Sequence, residues 1–269
     1  MNLTKILTYV LFAISLFLGY YLYSGVQSTI EDRKLVDVKE AAVIEKLKMI
    51  REAEIVFQEV NGRYTSNWDS LINFIKNGQV AIVERREEIK QKEYGGEEVI
   101  VHIDTLGFVP AQERIFKETF NVNCADDGIF MGFKVKAGDR AVKNQRGYTL
   151  KVGEKITEPP FTEDGFISSL ADVKPGQQVR KGQILMTTWD YKFDPKLDVN
   201  RIAFKPGTDT KFDIFVGKVD RNGVMVDVIE VKDPNPDNPF RSEANEAKNR
   251  KPLRFGSKTD VSTSGNWES

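Results

Sequence analysis

Twenty-five consecutive residues, Ile6 to Ile30, carry no charged side chain, and the run begins only five residues from the N-terminus. A helix rises about 1.5 Å per residue, so its most apolar part, Ile6 to Tyr23, nearly crosses a hydrocarbon core about 30 Å thick. The chain as a whole has a mean hydropathy of −0.39, which leaves the remainder polar enough for water. We therefore expect an N-terminal transmembrane anchor over residues 1–27 that places the rest at a lipid bilayer. A cleaved secretory signal would need small residues at its exit. Here the exit reads Gly19-Tyr-Tyr-Leu-Tyr-Ser-Gly25. Tyr20, Tyr21 and Tyr23 at one end and Lys5 at the other are the residue types that sit at membrane–water interfaces. Basic residues flank the run on both sides, Lys5 before it and Arg33, Lys34 and Lys39 after it. Long following domains translocate largely regardless of charge. We expect a bacterial inner-membrane protein with a cytoplasmic N-terminus and a periplasmic domain.

About 240 residues remain after the anchor, enough for one sizeable domain or two small ones. The net charge of −1 provides no field to recruit nucleic acid. A single cysteine, Cys124, excludes an intrachain disulfide framework. Seventeen phenylalanines argue for a packed core rather than disorder.

Ser28-Thr-Ile-Glu31 has capping-box spacing and predicts a helix start, with Gly25 before it as a hinge or a tolerated helical glycine. Val36, Val43, Ile50 and Phe57 recur every seven residues with charged residues opposite, so an amphipathic helix should run to about Val60. This face is the candidate partner-binding surface: it packs on the chain's own domain, or it forms a coiled coil with another chain. Oligomerisation stays open. Asn61-Gly62 should end the helix, and a short helix is predicted over Trp68–Lys76.

Strands are predicted at Val80–Val83 and Val99–Ile103, joined by the charged stretch Glu84–Glu93 and a Gly95-Gly96 turn. Further strands are predicted at Ile129–Val135, Tyr148–Val152 and Ile184–Thr188. The strongest hairpin signal joins Phe212–Val219 to Val224–Val231 through Asn222-Gly223. Prolines 234, 236 and 239 make the following polar run read as linker, with Pro252-Leu-Arg-Phe255 a last strand or a partner-binding tail. The expected class is α+β: a transmembrane helix (1–27) continuing into an amphipathic helix and a short helix (28–78), a mainly antiparallel β domain (79–232), and a linker with a C-terminal tail (233–269).

Ala53-Glu-Ile-Val-Phe-Gln-Glu-Val-Asn-Gly-Arg-Tyr-Thr-Ser-Asn-Trp-Asp-Ser-Leu71 resembles type IV pilin-like proteins and pseudopilins. Their long N-terminal helix, half in the membrane, ends at a similar Asn-Gly-Arg-Tyr turn before a β-sheet. The resemblance implies an anchored envelope protein with its sheet packed on the helix. It covers about the first 75 residues. The glycine before an aromatic start and the glutamate within the apolar run, which serve processing and fibre assembly in that family, are absent. The whole chain, including Gly265-Asn-Trp-Glu268, is similar to an uncharacterised group of bacterial single-pass membrane proteins. Val173-Lys-Pro-Gly176-Gln-Gln-Val179-Arg-Lys-Gly182-Gln-Ile-Leu185 resembles one half of a biotinyl/lipoyl-type hairpin. In periplasmic adaptor (membrane-fusion) proteins such a module follows an anchor and a coiled coil. One half is visible, no helical hairpin separates two halves, and the glutamate–aspartate–lysine context of a modified lysine is absent.

His102, the only histidine, sits two residues from Asp104 on a predicted strand, so both point to one face. Cys124 would complete a nucleophilic set only if the fold brought it close. Asp233-Pro-Asn-Pro-Asp237 matches the first ligand positions of a calcium loop, but Asn238 replaces the required glycine and Ala244 the bidentate glutamate. No phosphate loop, paired-cysteine zinc site or serine elbow is present. We expect no catalytic, cofactor or metal site, and a non-enzymatic envelope protein that contacts unknown membrane or periplasmic proteins as an accessory subunit of a membrane assembly or secretion apparatus. A transporter adaptor and a tethered hydrolase using His102 stand as alternatives.

Overall fold

The computed structural model describes residues 3–91, 97–194 and 197–268, excluding the side chains of 3–10, 28–29, 85, 88–91 and 97–100. The chain is α+β and divides into two compact units, one formed by residues 1–68 with 200–269 and the other by 69–199.

The first unit begins with α1, a single helix from Leu3 to Asn61. It does not restart at the Ser28-Thr-Ile-Glu31 box. Inside a continuous helix the donors at these positions already bond within the ladder, so there is nothing to cap. Glu31 instead accepts from Gln27 Nε2 at 2.9 Å, one turn back. α1 stops where the sequence predicts: Gly62, at φ +71°, donates its N–H to Gln58 O at 2.8 Å. Burial starts at Val43 and continues through Leu47, Ile50, Ala53 and Val56, a stripe at helical spacing.

Asp213–Arg221 (the hairpin's first strand) pairs antiparallel with Val224–Lys232, and Arg221 stands opposite Val224. Asn222 and Gly223, at φ +55° and +86°, form the tight turn. Arg254–Gly256 adds a third strand, which lies against α1 with Phe255 fully buried. The segment expected to be linker is therefore folded. Asp233, Leu253 and Asn266 are 1%, 2% and 1% exposed.

The second unit includes most of α2 (Trp68–Asn77), which ends beside Gly78 as predicted. β1 (Gln79–Gln91) and β2 (Glu97–Pro110) form an antiparallel ribbon. The Glu84–Glu93 stretch lies within β1 as far as Gln91 rather than outside it, because pairing with β2 continues along it to Gln91 opposite Glu97. Gly95-Gly96 lies outside the described residues. After α3 (Ala111–Phe116) come β3 (Lys117–Asn123), β4 (Gly128–Phe133), β5 (Arg140–Ala141), β6 (Tyr148–Val152), β7 (Lys155–Thr157), β8 (Gly165–Leu170), β9 (Gln178–Val179) and β10 (Ile184–Tyr191). They form two four-stranded sheets, in the orders β3-β10-β8-β5 and β7-β6-β4-β9. Completing the chain, the three strands of the first unit are β11, β12 and β13 in the order given above.

The two sheets are built from one motif used twice. Val135-Lys-Ala-Gly138-Asp-Arg-Ala141-Val-Lys-Asn144-Gln145 aligns without a gap on Val173-Lys-Pro-Gly176-Gln-Gln-Val179-Arg-Lys-Gly182-Gln183. Asp127-Gly128 and Asp164-Gly165 precede them, with one residue more between in the second half. The geometry repeats as well: Gly138 and Gly176 have φ +91° and +93°, and Asn144 and Gly182 have φ +68° and +81°. Gln145 Oε1 accepts from Val142 N–H at 3.0 Å, as Gln183 Oε1 does from Arg180 N–H at 3.1 Å. The halves interlock. β5 of the first pairs with β8 of the second, and β9 of the second with β4 of the first. Each turn is capped by the other half's aspartate, Lys181 N–H to Asp127 Oδ1 and Lys143 N–H to Asp164 Oδ1, both 2.7 Å. Where the sequence pattern shows one half, the structure contains two.

Candidate functional site

Among the described residues, the features that stand out are exposed surfaces and buried charges. On α1, Tyr20, Tyr21 and Tyr23 are 72%, 68% and 70% exposed, while the Lys5 side chain is outside the described ones. Leu16, Phe17 and Leu18 are successive and all more than half exposed, so the helix here is apolar around its girth rather than on one stripe. Among the described residues no helix is long and apolar enough to cross a membrane. Described side chains on α1 begin at Leu11, after the first five residues of the charge-free run. The candidate partner face divides. Val36 and Phe57 are half-buried, but Val43 and Ile50 are 2% and 0% exposed, so the chain's own fold covers the middle of that seam. Of the two alternatives, the helix packs on its own domain from Val43 onward.

Opposite charges tie the C-terminal segment to α1. Arg241 donates from Nε to Glu40 Oε1 at 2.5 Å and also holds Asn249 O and Lys251 O. Arg51 Nη1 lies 2.8 Å from Glu268 Oε1, and Glu268 also accepts Gly265 N–H at 2.9 Å. Burial works against the Glu268 charge, but these two donors outweigh it and hold the carboxyl below its ordinary range. The closing Gly265-Asn-Trp-Glu268 is thus a latch. Its Asn266 donates to Pro252 O at 2.9 Å and accepts Arg254 N–H at 3.1 Å.

The calcium-like run Asp233–Asp237 wraps a lysine instead of a metal. Lys205 Nζ, 4% exposed, meets Asp237 Oδ2 at 2.7 Å, Asp233 Oδ2 at 3.0 Å and the Asn235 carbonyl. Three acceptors saturate an ammonium's three donors. Burial would lower the Lys205 pKa, yet the hydrogen bonds it donates to both aspartates raise it, and Lys205 in turn lowers that of Asp237. No group of metal-ligating side chains occurs among the described residues.

Glu54 is the opposite case. It is fully buried on α1, Oε2 accepts Thr65 N–H at 3.0 Å, and Oε1 has no partner. Desolvation pushes its pKa up to about 8, so it is mostly protonated at neutral pH. Burial, with Glu54 and Asp227 nearby, also raises Tyr64. From the sequence, Glu54 is only a weak position beside the seam; its burial depends on contacts that the local pattern does not encode.

In the second unit, Cys124 is 2% exposed and donates its thiol to Asp126 O at 3.1 Å. Burial raises its pKa, which disfavours the thiolate. His102 is exposed on the β1–β2 ribbon opposite Arg86, and Asp104 follows on the same strand opposite Glu84. The ribbon and the sandwich are separate sheets, and Cys124 belongs to the sandwich core. That core fills equivalent positions of the two halves: Phe130 with Ile167, Ala141 with Val179 and Tyr148 with Met186. No protein-family model matches this chain, and no curated protein matches it.

Proposed function

We propose that this chain is a non-enzymatic, membrane-anchored envelope protein whose folded units serve as a platform for other proteins. The supporting observation is that α1 runs unbroken from the charge-free stretch into the buried stripe that begins at Val43. Leucine, isoleucine and phenylalanine side chains left exposed on every side of a helix are stable where lipid or another protein surrounds them. The full run, Ile6 to Ile30, supplies the length. In this reading Tyr20, Tyr21, Tyr23 and Lys5 sit at the two interfaces, and the units lie on the periplasmic side of a bacterial inner membrane.

A specific observation favours a transporter adaptor over an accessory subunit of a secretion apparatus. The half-motif at Val173–Leu185 has a second half at Val135–Gln145, interlocked with it, and this pairing supports the resemblance to a biotinyl/lipoyl-type module. No modified lysine is part of the proposal; the module acts as a docking body. The pilin-like resemblance contributes only the anchored helix.

Alkaline carbonate extraction of cells expressing the full chain, beside a chain beginning at Asp32, tests the anchor. The full chain should stay in the membrane pellet and the shorter one should be soluble. Full-length chain in the supernatant would overturn the proposal.

A further inference from the structure

We propose that β3 is a dimerisation edge, pairing antiparallel with β3 of a second copy about a two-fold axis at Asn121. Exposed strand edges invite pairing, and proteins blunt them by keeping edge strands short, charged or covered. The duplicated sandwich has four edges, and three follow this rule: β5, β7 and β9 are two, three and two residues long. β3 has seven residues, and its last five, Thr-Phe-Asn-Val-Asn, carry no charge, proline or glycine. The pseudo-equivalent edge β7 has a lysine in its three residues and runs into Glu158-Pro159-Pro160. Thus the same architecture closes one edge and leaves its counterpart open. An open cleft of about 660 Å³ runs along Thr119 to Asn123, with Tyr148 and Pro159 to Glu163 on its far side, and no strand is paired with β3 there among the described residues.

The hydrogen-bond register shows which groups are available. Cys124 N–H bonds Gln183 O and Phe116 O accepts from Lys192 N–H, so even-numbered residues turn their backbone toward β10. Thr119, Asn121 and Asn123 therefore turn theirs outward. The Asn123 carbonyl already accepts from Tyr148 OH at 3.3 Å and keeps its second lone pair for a ladder. Strands related by a two-fold axis normal to a sheet must centre on a residue, because paired residues share a face. Centred on Asn121, the register sets Asn121 against its copy and Thr119 against Asn123. Phe120 then lies opposite Val122 on the inner face, where Val122 already packs on the core. No like charges meet, since Lys117 and Glu118 fall outside the five-residue ladder. A second copy fits this edge because the sequence is complementary to itself in that register.

Single cysteines in the purified full-length chain test the register under mild oxidation. Opposed hydrogen-bonded residues have Cα atoms about 5.5 Å apart, within disulfide reach. Asn121→Cys should therefore give a disulfide-linked dimer. Thr119→Cys, about 14 Å from its own copy by strand spacing, should not, although both positions are exposed. Native Cys124 is buried and common to both. The proposal is overturned if Asn121→Cys remains monomeric or if both variants cross-link equally. Membrane extraction does not enter this readout, so failure here leaves the anchor untouched.

Discussion

The two units hold themselves together by different means. In the first, charged groups do much of the specifying: the buried Lys205 in its aspartate cage, the part-buried Arg241–Glu40 tie, the more exposed Arg51–Glu268 tie, and the buried acid of Glu54. In the second, a repeated turn and an apolar core do the same work with few buried charges. A buried ion pair costs desolvation and returns it only while both partners remain. The first unit should therefore respond sharply to pH and to the loss of single charges, and the second to single methyl groups. Hydrogen exchange read by mass spectrometry reports each unit separately and can break or sharpen the comparison.

The largest effect should come from Lys205→Met. It leaves the buried Asp233 carboxylate with no cation, at a cost of about 3–5 kcal/mol. Protection should collapse across residues 200–268 and persist in 97–194. Equal loss in both units would show that the division into two stabilities is wrong.

Glu54→Gln should act in the opposite sense and depend on pH. The folded state raises this acid's pKa from 4.5 to about 8, so the folded state binds a proton that the unfolded chain releases. Its contribution is fully present below pH 4.5 and is lost as pH rises toward 8. At the upper end the wild type gives up on the order of 4 kcal/mol relative to pH 4.5. The amide cannot ionise, so the variant should gain over the wild type by about that much near pH 8 and by little near pH 5. Urea unfolding at both pH values checks this. A constant difference would mean that Glu54 is charged in the fold.

In the second unit the corresponding test uses two glycines. A Cβ on Gly128 would meet Lys151 O at 2.5 Å, and one on Gly165 would meet Trp189 O at 2.9 Å. These carbonyls occupy equivalent places in the two halves. Gly128→Ala and Gly165→Ala should each cost about 2 kcal/mol, and only in residues 97–194. A large cost at one position and none at the other would break the equivalence of the halves.

How much of this was legible in the sequence follows from range. The end of α1 at Asn61, the Asn222-Gly223 hairpin and α2 are written in residues that touch within a few positions. The Lys205 cage joins residues about thirty apart, and without the lysine its prolines and aspartates look like linker. Burial of Glu54 and exposure of β3 are likewise tertiary. The second half-motif is readable but concealed by substitutions at six of its eleven positions, among them Ala141 where the other half has Val179 and Asn144 where it has Gly182. A search at a 38-residue offset would have found it.

The smallest effect tests that last equivalence. Asn144 and Gly182 both occupy the left-handed region, which asparagine tolerates better than other side chains and glycine adopts freely. No atom lies within 4 Å of a Cβ built on Gly182. Exchanging the pair, as Asn144→Gly with Gly182→Asn, should therefore change the stability of the second unit by less than about 1 kcal/mol. Gly182→Val, with a branched side chain at the same positive φ, should cost several times more than Gly182→Asn. If valine is tolerated as well as asparagine, φ does not govern that turn, and the two halves share a sequence pattern without sharing its physical cause.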